Sequence, residues 1–207
     1  MTTENLVPDA TSASRKFVVH QPRKRFVVAI TGASGHIYGI RLLDVLRELN
    51  CETHLVMSKS AMVALAYETD IKVKGIRDRA DHVYSNDDVA AAISSGSFRT
   101  QGMFIAPCSA KTLGEIASGA CGTLVSRAAD VMLKERRRLV LMFRETPLHL
   151  GHCRNMVSVT EMGAIVMPPV PAFYSRPESV EDIIDHTVGR ALDLFDLDVG
   201  VVKRWKE

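Results

Sequence analysis

The residues best suited to chemistry open in Phe26-Val-Val-Ala-Ile-Thr-Gly-Ala-Ser-Gly-His-Ile-Tyr-Gly39. An apolar run, a cluster of small residues, and then Ile37, Ile40, Leu42, Leu43, Val45 and Leu46 at helical spacing read as strand, tight turn and helix. Such a turn suits an anion. Its glycines let the backbone approach closely, the Thr31 and Ser34 hydroxyls can donate, and the helix's first N–H groups point outward at the positive end of the dipole. A tight turn with no ligand is the alternative these residues leave open.

Three other polar groups, Ser58, Pro107-Cys-Ser109 and Arg144-Glu145, each directly follow an expected strand. The elements that must position them alternate. Strands are predicted at Phe26 onward, Glu52 to Met57, Gly102 to Ala106 (ended by Pro107), Leu139 to Phe143 and Ala164 to Met167. Helices are predicted at Lys59 to Tyr67 behind a Ser58 cap, Asp87 to Ile93, Lys111 to Ala117, Leu124 to Lys134 and Leu148 to Met162. A last helix runs from the capping-box pattern Ser179-Val-Glu-Asp182 to about Phe195, and Ile71 to Asp88 reads as irregular. Repeated βα alternation implies an α/β fold: a three-layer αβα, Rossmann- or flavodoxin-like parallel sheet with helices on both faces. Ligands then collect at the carboxyl ends of its strands, where the four polar groups converge.

At 207 residues, 46% hydrophobic and 24% charged, the chain fits one soluble domain at 26–207 behind a polar N-terminal arm at 1–25, in which Phe17-Val-Val19 could add an edge strand. A net charge of +2 argues for no nucleic-acid partner. No apolar run reaches the ~20 residues that span a bilayer, and Met1 to Gln21 lacks a signal peptide's apolar core. Cys51, Cys108, Cys121 and Cys153 form no C-x-x-C pair, so reduced thiols in a cytoplasmic protein are expected. His149, His152 and Cys153 share a helix without a third hard ligand, so no metal is expected.

A nicotinamide dehydrogenase would need G-x-G-x-x-G and an acid closing the second strand. Here the glycines fall at 32, 35 and 39, the second strand ends in Ser58-Lys59, and no Tyr has Lys four residues later. A mononucleotide with one terminal phosphate fits better.

Gly32-Ala-Ser-Gly35 with Tyr38-Gly39, Met57-Ser-Lys59, Glu68-Thr-Asp70, Ser95-Gly-Ser-Phe98, Pro107-Cys-Ser109, Arg127-Ala-Ala-Asp130, Leu133-Lys-Glu-Arg136, Arg144-Glu-Thr-Pro147, Pro168-Pro169 and Ala172-Phe-Tyr174 occur in that order. Together they resemble the UbiX-type flavin prenyltransferase family, from about Phe26 to Trp205. The resemblance implies a metal-independent enzyme that transfers a dimethylallyl group from dimethylallyl monophosphate to N5 and C6 of reduced FMN. It also implies a homododecamer, and a UbiD-type decarboxylase that receives the prenylated FMN. The positions matching the family's FMN site are Gly32, Ala33, Ser34, Ser58, Ser109, Ala110, Lys111, Thr112 and Arg144. Those matching its prenyl-phosphate site are Lys134, Tyr174 and Arg190, with Ser95, Gly96 and Arg127 close by.

The chemistry agrees. Breaking an allylic carbon–oxygen bond without a metal needs fixed positive charge around the leaving phosphate, which Lys134, Arg127, Arg144, Arg190 and the Tyr174 hydroxyl can supply. Trp205 offers cation–π stabilisation of allylic charge, or a packing anchor. Glu145 and Glu68 are the acid–base candidates. Cys108 reads as a small apolar filler. His36 stands where the family commonly has a small residue, and is expected to contact the flavin's surroundings; Arg138 replaces a usual Pro at a surface turn. Two other classes remain: a non-catalytic flavin carrier serving an aromatic-acid decarboxylase, and an FMN-dependent cysteinyl-peptide decarboxylase. Against the second, Pro168-Pro-Val-Pro171 occupies the stretch where its substrate clamp would lie.

Overall fold

The structure is a computed structural model and describes residues 23–206. The expected strand at Phe17 to Val19, and most of the expected arm, lie outside the described residues. Arg23 and Arg25 belong to the folded body: Arg23 donates to the Asn50 and Cys51 carbonyls and pairs with Asp81, and Arg25 begins the first strand.

Six strands form one parallel sheet: β1 (Arg25–Ile30), β2 (Glu52–Met57), β3 (His82–Ser85), β4 (Gly102–Cys108), β5 (Arg138–Phe143) and β6 (Ile165–Val166), in the order β3-β2-β1-β4-β5-β6. Strands β1 and β4 are apolar on both faces because helices cover both. Phe26, Val28, Ile30, Phe104 and Ala106 point into a core closed by α1 (His36–Glu48), α2 (Lys59–Glu68) and α7 (Val180–Asp193). Val27, Ala29, Met103 and Ile105 point into a second core closed by α4 (Ala110–Ala117), α5 (Leu124–Lys134) and α6 (Leu150–Glu161). The strand order reverses between β1 and β4, so the crevice of this doubly wound sheet opens above the carboxyl ends of those two strands.

Three expectations are corrected. Ile71 to Asp88 is not irregular but contains a short helix, α3 (Val73–Arg77), and the edge strand β3. Asp87 to Ile93 is not a helix; that stretch turns and leaves a 3₁₀ turn at Ala92–Ser94. Pro107 does not end β4, which continues through a cis Ala106–Pro107 bond and a register shift to pair Cys108 with Phe143. Pro has no N–H to give the ladder, and the irregularity falls where that donor is missing.

Candidate active site

Four loops meet at the carboxyl edge, and hydrogen bonds lock them together. The Ser58 N–H donates to the Ile30 carbonyl (3.0 Å) and the Arg144 N–H to the Cys108 carbonyl (3.0 Å). Thr31, 1% exposed, donates from Oγ1 to the Pro107 carbonyl (2.7 Å) and accepts from the Ser109 N–H (2.9 Å). Thr31 is thus a strut between β1 and β4 and not the anion donor its type suggested. Two glycines are fixed by close approach. A Cβ on Gly32 would lie 2.3 Å from Ser60 Oγ, and one on Gly39 2.2 Å from the Ala106 carbonyl, so α2 and α1 pack on bare backbone there.

Ser58 and Ser109 are helix caps. The Ser58 hydroxyl accepts from the Ala61 N–H and the Ser109 hydroxyl from the Thr112 N–H, aiming the amino ends of α2 and α4 at the same edge. Ser34 and Arg144 lie exposed there, with Gly32, Ala33 and Ala110 partly buried between them. Lys111 pairs with Glu115 (2.6 Å) and the buried Thr112 hydroxyl meets Ser109 Oγ (3.1 Å). Backbone amides, hydroxyls and cations at a helix amino terminus are the donor set a terminal phosphate takes, so these residues fit the phosphate end of a flavin mononucleotide.

The amino end of α1 behaves differently. Two of its first N–H groups are already taken: Glu68 Oε2 accepts from the Gly35 N–H (2.9 Å), the His36 N–H (3.2 Å) and His36 Nδ1 (2.8 Å). Burial raises the Glu68 carboxyl, and the bonds from His36, the Gly35 and His36 amides and Ser34 outweigh it, leaving it below the ordinary glutamate value. Glu68 is therefore a carboxylate cap on α1 that also reaches Ser34. His36 is wholly buried, with Nε2 unpartnered among the described residues. Cys108 is wholly buried and its thiol is pushed up by burial, in line with a filler. Glu145 is exposed beside Arg144 and accepts from the Thr146 N–H (3.0 Å).

The residues expected to hold the leaving phosphate form two other clusters. Helix α5 starts beside Asn86, just past β3, and ends beside the first residue of β5, so Lys134 lies at the amino end of the sheet, opposite Ser34. There Lys134 pairs with Glu135 (2.5 Å), and a Cβ on Gly96 would lie 2.7 Å from Lys134 Nζ. Arg127 binds Asp130 (2.8 Å) and the Ser94 carbonyl (3.2 Å), next to Ser95. Lys134 also lines a groove of about 490 Å³ between α4, α5 and the end of α6, a groove Ser34 does not reach. On the α7 side, Tyr174 packs edge-on to Trp205 (5.5 Å), and Arg190 and Arg204 both grip Asp193. Trp205 is 69% exposed in spite of that contact. Sequence reasoning missed Asp193 and the Glu68–His36 contact. A carboxylate three residues after Arg190 was the only local signal.

A family model described as Flavoprotein matches residues 15–192. The flavin prenyltransferase UbiX of Thauera aromatica is 55% identical over 181 residues, covering 87% of this chain and 93% of the relative. The crystal structure of AnUbiX (PadA1) in complex with FMN and dimethylallyl pyrophosphate superposes with a TM-score of 0.88 at 58% identity, covering 90% of this chain and 99% of that one. A dodecameric FMN-dependent UbiX-like decarboxylase from Escherichia coli O157:H7 superposes at 0.86 with 48% identity, covering 88% and 100%. Sheet order, family model and near full-length identity agree: the chain belongs to the Flavoprotein family, among its UbiX-type flavin prenyltransferases.

Proposed function

We propose that this chain joins the dimethylallyl group of dimethylallyl monophosphate to N5 and C6 of reduced FMN, releasing phosphate, and that a UbiD-type decarboxylase takes up the prenylated flavin. The observation that carries this reading is identity above one half with a flavin prenyltransferase over nearly its whole length.

FMN is seated by Gly32, Ala33, Ser34, Ser58, Ser109, Ala110, Lys111, Thr112 and Arg144 at the carboxyl edge. With the Gly35 and His36 amides of α1 held by Glu68, the α2 and α4 termini carry more of the flavin phosphate. The prenyl phosphate is held by Lys134, Arg127, Arg190 and Tyr174, with Ser95 and Gly96 shaping the floor. Three of its cations already have a carboxylate each, Glu135, Asp130 and Asp193, so the donor phosphate must compete for them. Glu145 and Glu68 move protons, Glu68 through Ser34, and Trp205 faces developing allylic charge.

One chain does not bring these groups into one chamber. Ser34 and Lys134 stand at opposite ends of the sheet, so the reading requires neighbouring copies to supply the phosphate clusters to each flavin edge. A homododecamer does that. No helix among the described residues is long and apolar enough to cross a membrane. The four unpaired cysteines support a cytoplasmic setting.

Anaerobic incubation with reduced FMN and dimethylallyl monophosphate should yield a flavin heavier by one five-carbon unit. Recovery of unmodified flavin from protein that demonstrably binds both substrates would reject the proposal.

A further inference from the structure

Away from the crevice, Glu52 and His54 on β2 and His82 on β3 face one another at the free edge of the sheet. They are two apart on one strand and in register across the ladder (His54 opposite His82), so strand pleating puts all three side chains on one face. The Nε2 atoms of His54 and His82 lie 3.1 and 3.5 Å from the same oxygen, Glu52 Oε1. All three ligand atoms fall within 4.8 Å of one another. With metal–ligand bonds of about 2.0–2.1 Å, the edges of a tetrahedron are about 3.3–3.4 Å, the range these contacts straddle.

We propose that Glu52, His54 and His82 bind a divalent transition-metal ion of the zinc type, with water or another ligand at the fourth position. The donor set is two imidazoles and one carboxylate, which selects zinc-like ions over magnesium or calcium, whose sites are built from oxygen.

The surroundings hold the ligands as a metal site does. His54, 2% exposed, has its other nitrogen 3.0 Å from the Tyr84 hydroxyl; with the proton on Nδ1 it donates there and keeps the Nε2 lone pair for the ion. Glu52 gives its second oxygen to Arg25 Nε (3.0 Å), and the Arg25 guanidinium is itself seated over Phe98 (5.1 Å). Phe98 in turn packs edge-on to His54 (5.0 Å). His82 is the adjustable member. Its side chain is 51% exposed and now stacks on His54 at an interplanar angle of 14°, so it must turn about its side-chain torsions to aim at the ion. Strand β3 is four residues long and hydrogen-bonded only to β2 among the strands. The ion would clamp that edge.

Equilibrium dialysis of the tag-free, chelator-treated protein against micromolar zinc, with metal counted by mass spectrometry, should show one ion per chain. Cobalt substituted at the same site should give the visible bands of a four-coordinate centre. His82→Ala, at an exposed position that leaves the fold intact, should abolish both signals. Tyr84→Phe should weaken binding about tenfold. His149→Ala controls for the stacked His149–His152 pair (3.6 Å) and should bind as the parent does. Uptake well below one ion per chain, uptake equal in His82→Ala, or uptake lost in His149→Ala instead overturns the assignment.

Discussion

Removing the carboxylate of Glu68 separates its structural duty from its proposed chemical one. In Glu68→Ala, α1 loses a cap that accepts two backbone N–H groups, and the His36 ring, wholly buried, loses its carboxylate partner at Nδ1 while Nε2 has none among the described residues. Hydrogen bonds to a charged acceptor are worth about 1.5–3 kcal/mol each. Water can reach the helix end, since the Glu68 side chain is 24% exposed, so the His36 bond counts nearly in full and the amides only in part. A loss of about 3 kcal/mol follows, or about 6–12 °C in Tm for a domain of this size. Glu68→Gln keeps a neutral acceptor and should cost about 1 kcal/mol, chiefly the charge at the helix terminus. Because the folded-state carboxyl lies below its ordinary value, its contribution is complete above the unfolded glutamate value of about 4.3 and is lost as pH falls through the lower folded one. Urea unfolding at fixed protein concentration, from about pH 7 to about pH 3, should therefore show the gap between parent and Glu68→Ala closing only in acid. A gap under about 0.5 kcal/mol at neutral pH, or one that does not change with pH, would refute the capping role. If Glu68 also moves the flavin proton, Glu68→Gln should lose far more turnover than stability.

Lys134→Ala should keep FMN binding, read by equilibrium fluorescence, while turnover falls roughly 100-fold or more; unchanged turnover would favour a flavin carrier. Glu145→Gln should behave the same way, with a loss on the order of 100-fold and upward. Thr31→Val strips the buried Ser109 amide of its acceptor, while the Pro107 carbonyl keeps the backbone N–H of position 31 (3.2 Å), so about 1–3 kcal/mol should be lost by denaturant titration and FMN binding weakened by a looser β1–β4 edge. Gly39→Ala drives a methyl into the Ala106 carbonyl, so about 1–3 kcal/mol of overpacking should appear in thermal melts; a neutral melt would mean α1 can shift outward.

Much of this protein was legible in its residues. Val27, Val28 and Ala29, or Phe104 and Ile105, have no option but a strand covered on both faces, because a parallel sheet wrapped by helices is where an unbroken apolar run hides. Ser58 and Ser179 announce their helices because capping is satisfied within three residues, and Ser109 does the same for α4 although it was not read as a cap. The ordered motif words carried the family. What escaped was set by distance. Edge strand β3 is short and largely exposed, so His82 to Ser85 shows no apolar alternation to read. Thr31 bonds a carbonyl 76 residues away and Glu68 caps a helix 32 residues upstream, and neither partnership leaves a local trace. The separation of Ser34 from Lys134 is a property of topology alone: in a parallel sheet every strand's carboxyl end faces one way, and a helix returning beneath it must deliver its last residue to the other. Residue type therefore chose the elements and the chemistry, while the folded chain decided which hydroxyls and carboxylates were left for a ligand and which were already taken.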